Sequence, residues 1–203
     1  MKKIMLLSLI LILSLASSST VFGYVYWSIY KFSNGIADGT YYNYASDNFN
    51  QDGTIYNFKT ALHGAMNEWN SATESNILND ETNNGYGDEK LALAAYDYGE
   101  LGLNGWAVMY VGSTQVSGSN GSTPPTQSWN FCRATLNAHD IQDDGAMTQN
   151  EARAIAIHEV GHCLGLAHED DGTASIMASG ETSINNGWLI PQTDDVSGVN
   201  NRY

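Results

Sequence analysis

Apolar residues recur at helical spacing in two long stretches of the chain. In the first, residues 54–71, one face would carry Tyr56, Ala61, Leu62, Ala65, Met66 and Trp69. The second opens on Thr148-Gln149-Asn150-Glu151, which has the form of a capping box with Thr148 as N-cap. Its apolar positions continue through Leu164, and the helix should end at Gly165. A third, shorter helix is predicted from Thr193 or Asp194 to about Asn201.

Other stretches have the β-branched and aromatic content of strands, namely residues 24–32, 90–98, 106–111 and 129–139. Residues 33–53 and 112–127 are rich in small and polar residues, and we expect loops there. Residues 140–145 are expected to form an acidic turn. The order of strand, helix, several strands, helix and helix predicts a single α+β domain over residues 24–203.

Residues 1–23 have the pattern of a secretory signal peptide. Lys2 and Lys3 precede an apolar run over residues 4–16, and Val21-Phe22-Gly23 offers a small-residue cleavage site before Tyr24. The apolar run is too short to span a bilayer comfortably, and an uncleaved N-terminal anchor is the alternative. We therefore expect a secreted or periplasmic protein that has no membrane contact after the signal is removed.

The charge balance narrows the class of partner. Eight Lys and Arg face 22 Asp and Glu, for a formal net charge of −14. So few cations cannot form a basic patch, which argues against nucleic acid and against anionic membranes. A surplus of acid favours solubility and cations as partners. We expect a monomer.

Residues 158–168 carry the candidate chemistry, with the sequence His-Glu-Val-Gly-His-Cys-Leu-Gly-Leu-Ala-His. His158 and His162 are four positions apart on the predicted helix, so they project from one face and can share one ion. A turn at Gly165 would bring His168 back to supply a third nitrogen. Three neutral imidazoles with an open position are typical of a catalytic zinc. Glu159 lies one position round the helix, within reach of a metal-bound water.

The spacing HExxHxxGxxH followed by a methionine-bearing turn resembles the signature of the metzincin zinc endopeptidases, and most of all their matrixin branch and its small bacterial relatives. The candidate methionine is Met177. The resemblance implies a zincin-like α+β fold, in which a twisted mixed sheet is joined by an early helix, a zinc-binding helix and a C-terminal helix. One departure is Ser179, which stands where the matrixin turn usually has a proline. No pro-domain with a cysteine switch is expected before residue 24.

By this resemblance the chain is expected to be a secreted zinc metalloendopeptidase, a hydrolase acting on proteins or peptides. His158, His162 and His168 would hold Zn²⁺, Glu159 would act as general base, and Met177 would form an apolar floor below the histidines. The strand at residues 106–110 would border the cleft, and residues 184–189 would wall a side-chain pocket. Two alternatives stay open, a metal-binding module without turnover and a zinc amidase acting on a non-protein substrate.

The sequence also contains a candidate calcium-binding loop. Asp140, Asp144, Gly145 and Glu151 match four positions of an EF-hand loop, whereas Gln142 departs from it. The alternative is an acidic turn before a helix, where negative charge is favourable.

Two further pairs of residues are open to two interpretations each. Cys132 and Cys163 form a disulfide in the simplest interpretation of an exported chain, and otherwise are two buried thiols. Asp194 and Asp195 either cap the last helix or, by the resemblance, one of them pairs with the amino group of Tyr24 after signal removal.

Overall fold

The computed structural model describes residues 23–33, 35–36, 40–46, 49–51, 54–74, 80–81, 89–118, 123–143 and 147–203. The strands within these ranges are β1 (Thr40–Asn43), β2 (Phe49–Gln51), β3 (Thr54–Tyr56), β4 (Asp80–Glu81), β5 (Leu91–Tyr96), β6 (Gly105–Val111), β7 (Thr114–Gln115) and β8 (Phe131–Asn137). The helices are α1 (Phe58–Ala72), α2 (Ala138–Asp143), α3 (Gln149–Cys163), α4 (Thr182–Asn185) and α5 (Thr193–Arg202). The predicted signal peptide falls on residues 1–22, which lie outside the described ranges, and on Gly23.

Six of these strands form one mixed sheet in the order β4-β1-β5-β8-β6-β7. The first four run parallel to one another, whereas β6 is antiparallel to both of its neighbours. Strands β2 and β3 form a separate antiparallel pair. The predicted α+β class with a mixed sheet is confirmed.

Helices α1 and α3 pack against each other and against the sheet. Helix α3 contacts β6 and β8, and α1 contacts β1 and β5. Trp69 of α1 is fully buried, and its Nε1–H donates to the carbonyl of Ile157 in α3 at 2.9 Å. This bond satisfies the indole's polar atom inside the core, so the large ring can be buried without an unpaired donor.

The helical predictions are confirmed with small changes at the ends. Helix α1 begins at Phe58 rather than near Thr54, because residues 54–56 form β3 and the Asn57 side chain accepts the Thr60 N–H as an N-cap. Helix α3 has the predicted capping box between Thr148 and Glu151. Helix α5 covers the predicted last helix. None of the described helices is long and apolar enough to cross a membrane.

Two predictions about the N-terminal part are wrong. Residues 24–32 are not a strand of the sheet, because they cross the end of α3 and only Tyr26 and Phe32 make isolated bridges. Residues 33–53 are not only loop, since β1 and β2 lie there. Tyr41 and Asn43 of β1 are buried although they are polar, because the Asn43 side chain donates to the Lys59 carbonyl and the Tyr41 hydroxyl bonds His63.

Two further boundaries also differ from the predictions. Strand β8 ends at Asn137, and residues 138–143 form α2 where an end of the strand and an acidic turn were expected. The Asn137 side chain bonds the Asp140 carboxylate at this junction. Residues 112–127 are mostly loop as predicted, but β7 lies at Thr114–Gln115.

Candidate active site

Helix α3 presents His158 and His162 on one face, and each ring has its Nδ1 bonded to a backbone carbonyl. His158 Nδ1 lies 2.8 Å from the oxygen of Ile176, and His162 Nδ1 lies 2.8 Å from that of Leu166. A carbonyl can only accept, so Nδ1 carries the proton and the lone pair is on Nε2. Such bonds orient metal-ligating histidines in other proteins.

A turn at Gly165 returns His168 to the other two histidines. Gly165 has φ = 90°, a left-handed conformation that side chains disfavour. A Cβ there would also lie only 2.7 Å from Arg202 Nε. Both the backbone conformation and the space therefore require glycine. After the turn, the Nε2 atoms of His162 and His168 are 3.2 Å apart. The structure thus brings His158, His162 and His168 together as the sequence predicted, with one potential ligand atom from each within 4.8 Å of the others.

This cluster fits a tetrahedral metal with imidazole ligands. Two Zn–N bonds of about 2.0–2.1 Å at a tetrahedral angle place their nitrogens about 3.4 Å apart, close to the 3.2 Å between His162 and His168. Burial and the neighbouring His168 lower the pKa of His158 to about 4. Burial, with the other two histidines, also holds the pKa of His162 well below its usual value, and burial lowers that of His168. The three rings are therefore neutral at pH 7, as metal ligation requires.

Glu159 lies beside the histidines, and none of the described residues forms an ion pair with it. Its side chain is 6% exposed, and Oε2 has no hydrogen-bond partner among the described residues. Burial raises the pKa of Glu159 to about 8. An unpaired buried carboxyl group in a cleft is typical of a general acid or base rather than of a stabilising residue.

Met177 lies under α3, where a floor was expected. It is 1% exposed, and a Cβ on Gly161 would overlap its sulfur atom. Its carbonyl accepts the Glu169 N–H at 3.0 Å, and its N–H donates to Ser175 Oγ at 2.9 Å. The backbone of Met177 is therefore bonded on both sides, to Glu169 and to Ser175. Its side chain packs against α3 between the two metal-facing histidines.

Asp195 of α5 supports this turn, a role that the sequence did not reveal. Its carboxylate accepts the Ser175 hydroxyl and, at 2.9 Å, the Ile176 N–H. It also accepts the Gln192 N–H at 2.7 Å and so caps α5, as one of the two expectations had it. A capping residue that bonds a second segment cannot be recognised from spacing alone.

The histidines open into a cleft of about 470 Å³. Its walls include β6, α3, α4 and the segment before β6, and the apolar lining residues are Leu103, Trp106, Ile155 and Ile184. Ile184 thus lies in the predicted pocket wall. Strand β7 pairs with β6 only at Tyr110 and Val111, so among the described residues no strand covers the β6 edge before them.

The calcium prediction has no support from the structure. Asp140 uses its carboxylate to accept the N–H groups of Leu101 and Leu103, and these bonds lower its pKa although burial opposes the shift. Glu151 accepts the Thr148 N–H in the capping box, and Asp144 lies outside the described residues. The two described carboxylates are thus already bonded to the protein.

Two other pairs of predicted residues do meet. Cys132 of β8 and Cys163, the last residue of α3, form a disulfide. The N–H of Gly23 donates to Asp194 Oδ1 at 2.8 Å, and the N–H of Tyr24 bonds the same carboxylate. Burial raises the pKa of Asp194.

Sequence reasoning missed a contact at the site itself. The Trp27 indole lies against the His162 ring, with 4.7 Å between ring centroids. Residues 24–32 were expected to be a strand of the sheet, and no spacing in the sequence connects them with the histidines.

A mixed sheet, a buried helix with two histidines one turn apart and a third histidine after a glycine turn are the features of metal-dependent peptidases of the metzincin type. The chain belongs to the matrixin family, whose model, described as "Matrixin", matches residues 38–203. Family membership implies a catalytic zinc and hydrolysis of peptide bonds.

A solved structure described as "GM1 bound form of the ECX AB5 holotoxin" is similar, with a TM-score of 0.49 and 14% identity over 89% of this chain and 84% of that one. A likeness at this level carries no argument about fold or function. No curated protein matches the chain.

Proposed function

We propose that the chain is a secreted zinc-dependent endopeptidase whose zinc is held by His158, His162 and His168 and whose general base is Glu159. The observation that carries this proposal is the cluster of three neutral imidazoles in an open cleft, beside a buried carboxyl group whose Oε2 has no hydrogen-bond partner among the described residues. A module that only binds metal has no use for Glu159, which costs free energy to bury unpaired.

Bound zinc supplies Lewis-acid polarisation of the scissile carbonyl and makes a water more acidic. Glu159 takes the proton of the attacking water and delivers it to the leaving nitrogen. Its pKa of about 8 without metal would fall beside a cation, which favours the carboxylate that a base requires. The Nδ1–H bonds of His158 and His162 keep their Nε2 atoms aimed at one point throughout.

Strand β6 would orient the peptide. Met109 directs its N–H to Ser117 Oγ and its carbonyl to the Val116 N–H, so its polar groups face the outer edge. Alternation along a strand places those of Gly105 and Ala107 at the same edge, beside the cleft. An extended peptide adding to this edge would bring one of its carbonyls near the histidines. The apolar lining of the cleft would receive a neighbouring side chain.

Asp194 would bind the new N-terminus after signal removal. Its carboxylate already accepts the Tyr24 N–H, and its buried Oδ2 has no hydrogen-bond partner among the described residues. A free α-ammonium at Tyr24 would replace that neutral N–H donor with a charged one, and a charge-assisted hydrogen bond is the stronger of the two. A mature chain with a free amino group at Tyr24 should therefore be more stable than the same chain acetylated there. Equal unfolding midpoints and equal activity would contradict this pairing.

The first experiment assays the purified mature chain on quenched casein and on a mixed peptide library, with and without a zinc chelator. Glu159→Gln keeps the shape of the side chain but removes the base, and Glu181→Gln changes another glutamate that lines the same cleft. We expect cleavage that the chelator and Glu159→Gln abolish and Glu181→Gln largely retains. One bound zinc per chain with no cleavage of any peptide would contradict the proposal and favour a binding module or an amidase.

A further inference from the structure

Residues 24–27 run along the turn that follows α3. The Trp27 N–H donates to the Gly165 carbonyl at 3.0 Å, and the Val25 carbonyl accepts the Ala167 N–H at 2.7 Å. Tyr26 forms an isolated bridge with Leu166 between these two bonds. The turn that leads to His168 therefore has a second segment of chain bonded along it.

The same segment reaches one of the metal-facing histidines directly. The Trp27 and His162 rings have centroids 4.7 Å apart and planes inclined by 35°. Trp27 is partly buried against the core and does not line the cleft, so its indole covers a side of His162 away from substrate. His162 is left only 5% exposed.

Two of the contacts that orient the His162 ring involve residues 24–27. One is the indole of Trp27. The other is the Nδ1 bond to the Leu166 carbonyl, and Leu166 is the residue bridged to Tyr26. Groups that orient a ligating histidine usually change metal affinity when they are removed.

This contribution lies outside the part of the chain that matches the matrixin model, which starts at residue 38. We propose that Trp27 is a positioning residue of the metal site: by covering the ring of His162, it keeps Nε2 aimed at the ion, so that zinc affinity depends on the docking of residues 24–27. The proposal rests on the proposed function only in that the three histidines hold zinc.

The test compares Trp27→Leu, which fills space without a ring, with Trp27→Phe, which keeps an aromatic ring. Tyr30→Ala is the matched control, because Tyr30 is a partly buried aromatic on the same stretch that packs on the core. For each mature chain, the zinc dissociation constant is measured by competition with a chromophoric chelator. The free energy of unfolding is measured separately in excess chelator, so that packing and metal binding are read independently.

We expect Trp27→Leu to weaken zinc binding by about tenfold or more. Trp27→Phe should recover most of that loss, and Tyr30→Ala should lower metal-free stability while it leaves the zinc affinity near the wild-type value. Wild-type zinc affinity in Trp27→Leu, or an equal loss in Tyr30→Ala, would show that Trp27 only packs and would overturn the inference. A wild-type chain that binds zinc but cleaves no peptide contradicts the proposed function instead, and the same ranking of variants would still support the role of Trp27.

Discussion

Asp195 accepts the backbone N–H of Ile176 at 2.9 Å, and the carbonyl of Ile176 bonds Nδ1 of His158 at 2.8 Å. A carboxylate on the last helix thus supports a histidine of the metal cluster through a single residue of the methionine turn. Asp195 is 2% exposed, so these bonds are shielded from bulk water.

Asp195→Ala should therefore destabilise the chain and weaken zinc binding together. It leaves the Ile176 N–H and the Ser175 hydroxyl unsatisfied inside the protein, at about 1–3 kcal/mol for each. The control is Asn200→Ala, which removes another side-chain acceptor of α5, the one that bonds the Glu74 N–H. Urea unfolding and zinc competition measure the two effects. Equal zinc affinities in the two variants would contradict the role given to Asp195.

Glu159 predicts a pH dependence of stability in the metal-free chain. Its pKa is about 8 when folded and near 4.5 in the unfolded chain, so the folded state holds the extra proton between these values. Stability from this group is present below about pH 4.5 and is lost as the pH rises towards 8. Glu159→Gln does not titrate, so its free energy of unfolding relative to wild type should increase from pH 5 to pH 8 in excess chelator. A flat difference for Glu159→Gln would contradict the assignment.

Gly161→Ala tests the contact between the zinc helix and the methionine turn. A Cβ would overlap the Met177 sulfur and lie 3.1 Å from the Trp69 ring. Overpacking of this kind costs about 1–3 kcal/mol, which exceeds the gain of up to about 1 kcal/mol from replacing glycine inside a helix. We expect a lower unfolding midpoint by calorimetry, and a smaller loss from Gly161→Ala when it is made in a chain that already carries Met177→Ala.

Gly64→Ala is the control for that experiment. Gly64 is also inside a helix, but a Cβ there would meet only the flexible Arg153 side chain, at 2.9 Å. The same substitution should therefore be neutral or stabilising at Gly64. If both variants lose stability equally, the effect does not come from Met177.

The disulfide between Cys132 and Cys163 should contribute strongly to stability. It joins positions separated by 31 residues, a loop for which chain entropy predicts about 3–4 kcal/mol. Because it ties the end of α3 to β8 one residue after His162, Cys132→Ala/Cys163→Ala should also weaken zinc binding. Urea unfolding of this variant and of wild type under oxidising conditions measures the loss. A change below about 1 kcal/mol would contradict the estimate.

Much of the active site could be predicted from the sequence because its parts are local. Two histidines four positions apart face the same side of any helix, and a glycine at the end of that helix permits the turn to His168. The capping box of α3 is equally local, since Thr148 and Glu151 are three residues apart and bond each other. Helical spacing likewise identified the buried face of α1, because the apolar residues that recur with the helical period are the ones that are buried.

The remaining features required the tertiary structure because they join segments that are far apart in the chain. Asp195 and Ile176 meet only once α5 packs beside the methionine turn, and Trp27 reaches His162 only because residues 24–27 cross the end of α3. Strand β1 was not predicted for a different reason. Its polar side chains suggested a loop, but Tyr41 and Asn43 are buried because they form hydrogen bonds with α1. Local spacing thus determined which residues can bind a metal, whereas long-range packing decided what orients them.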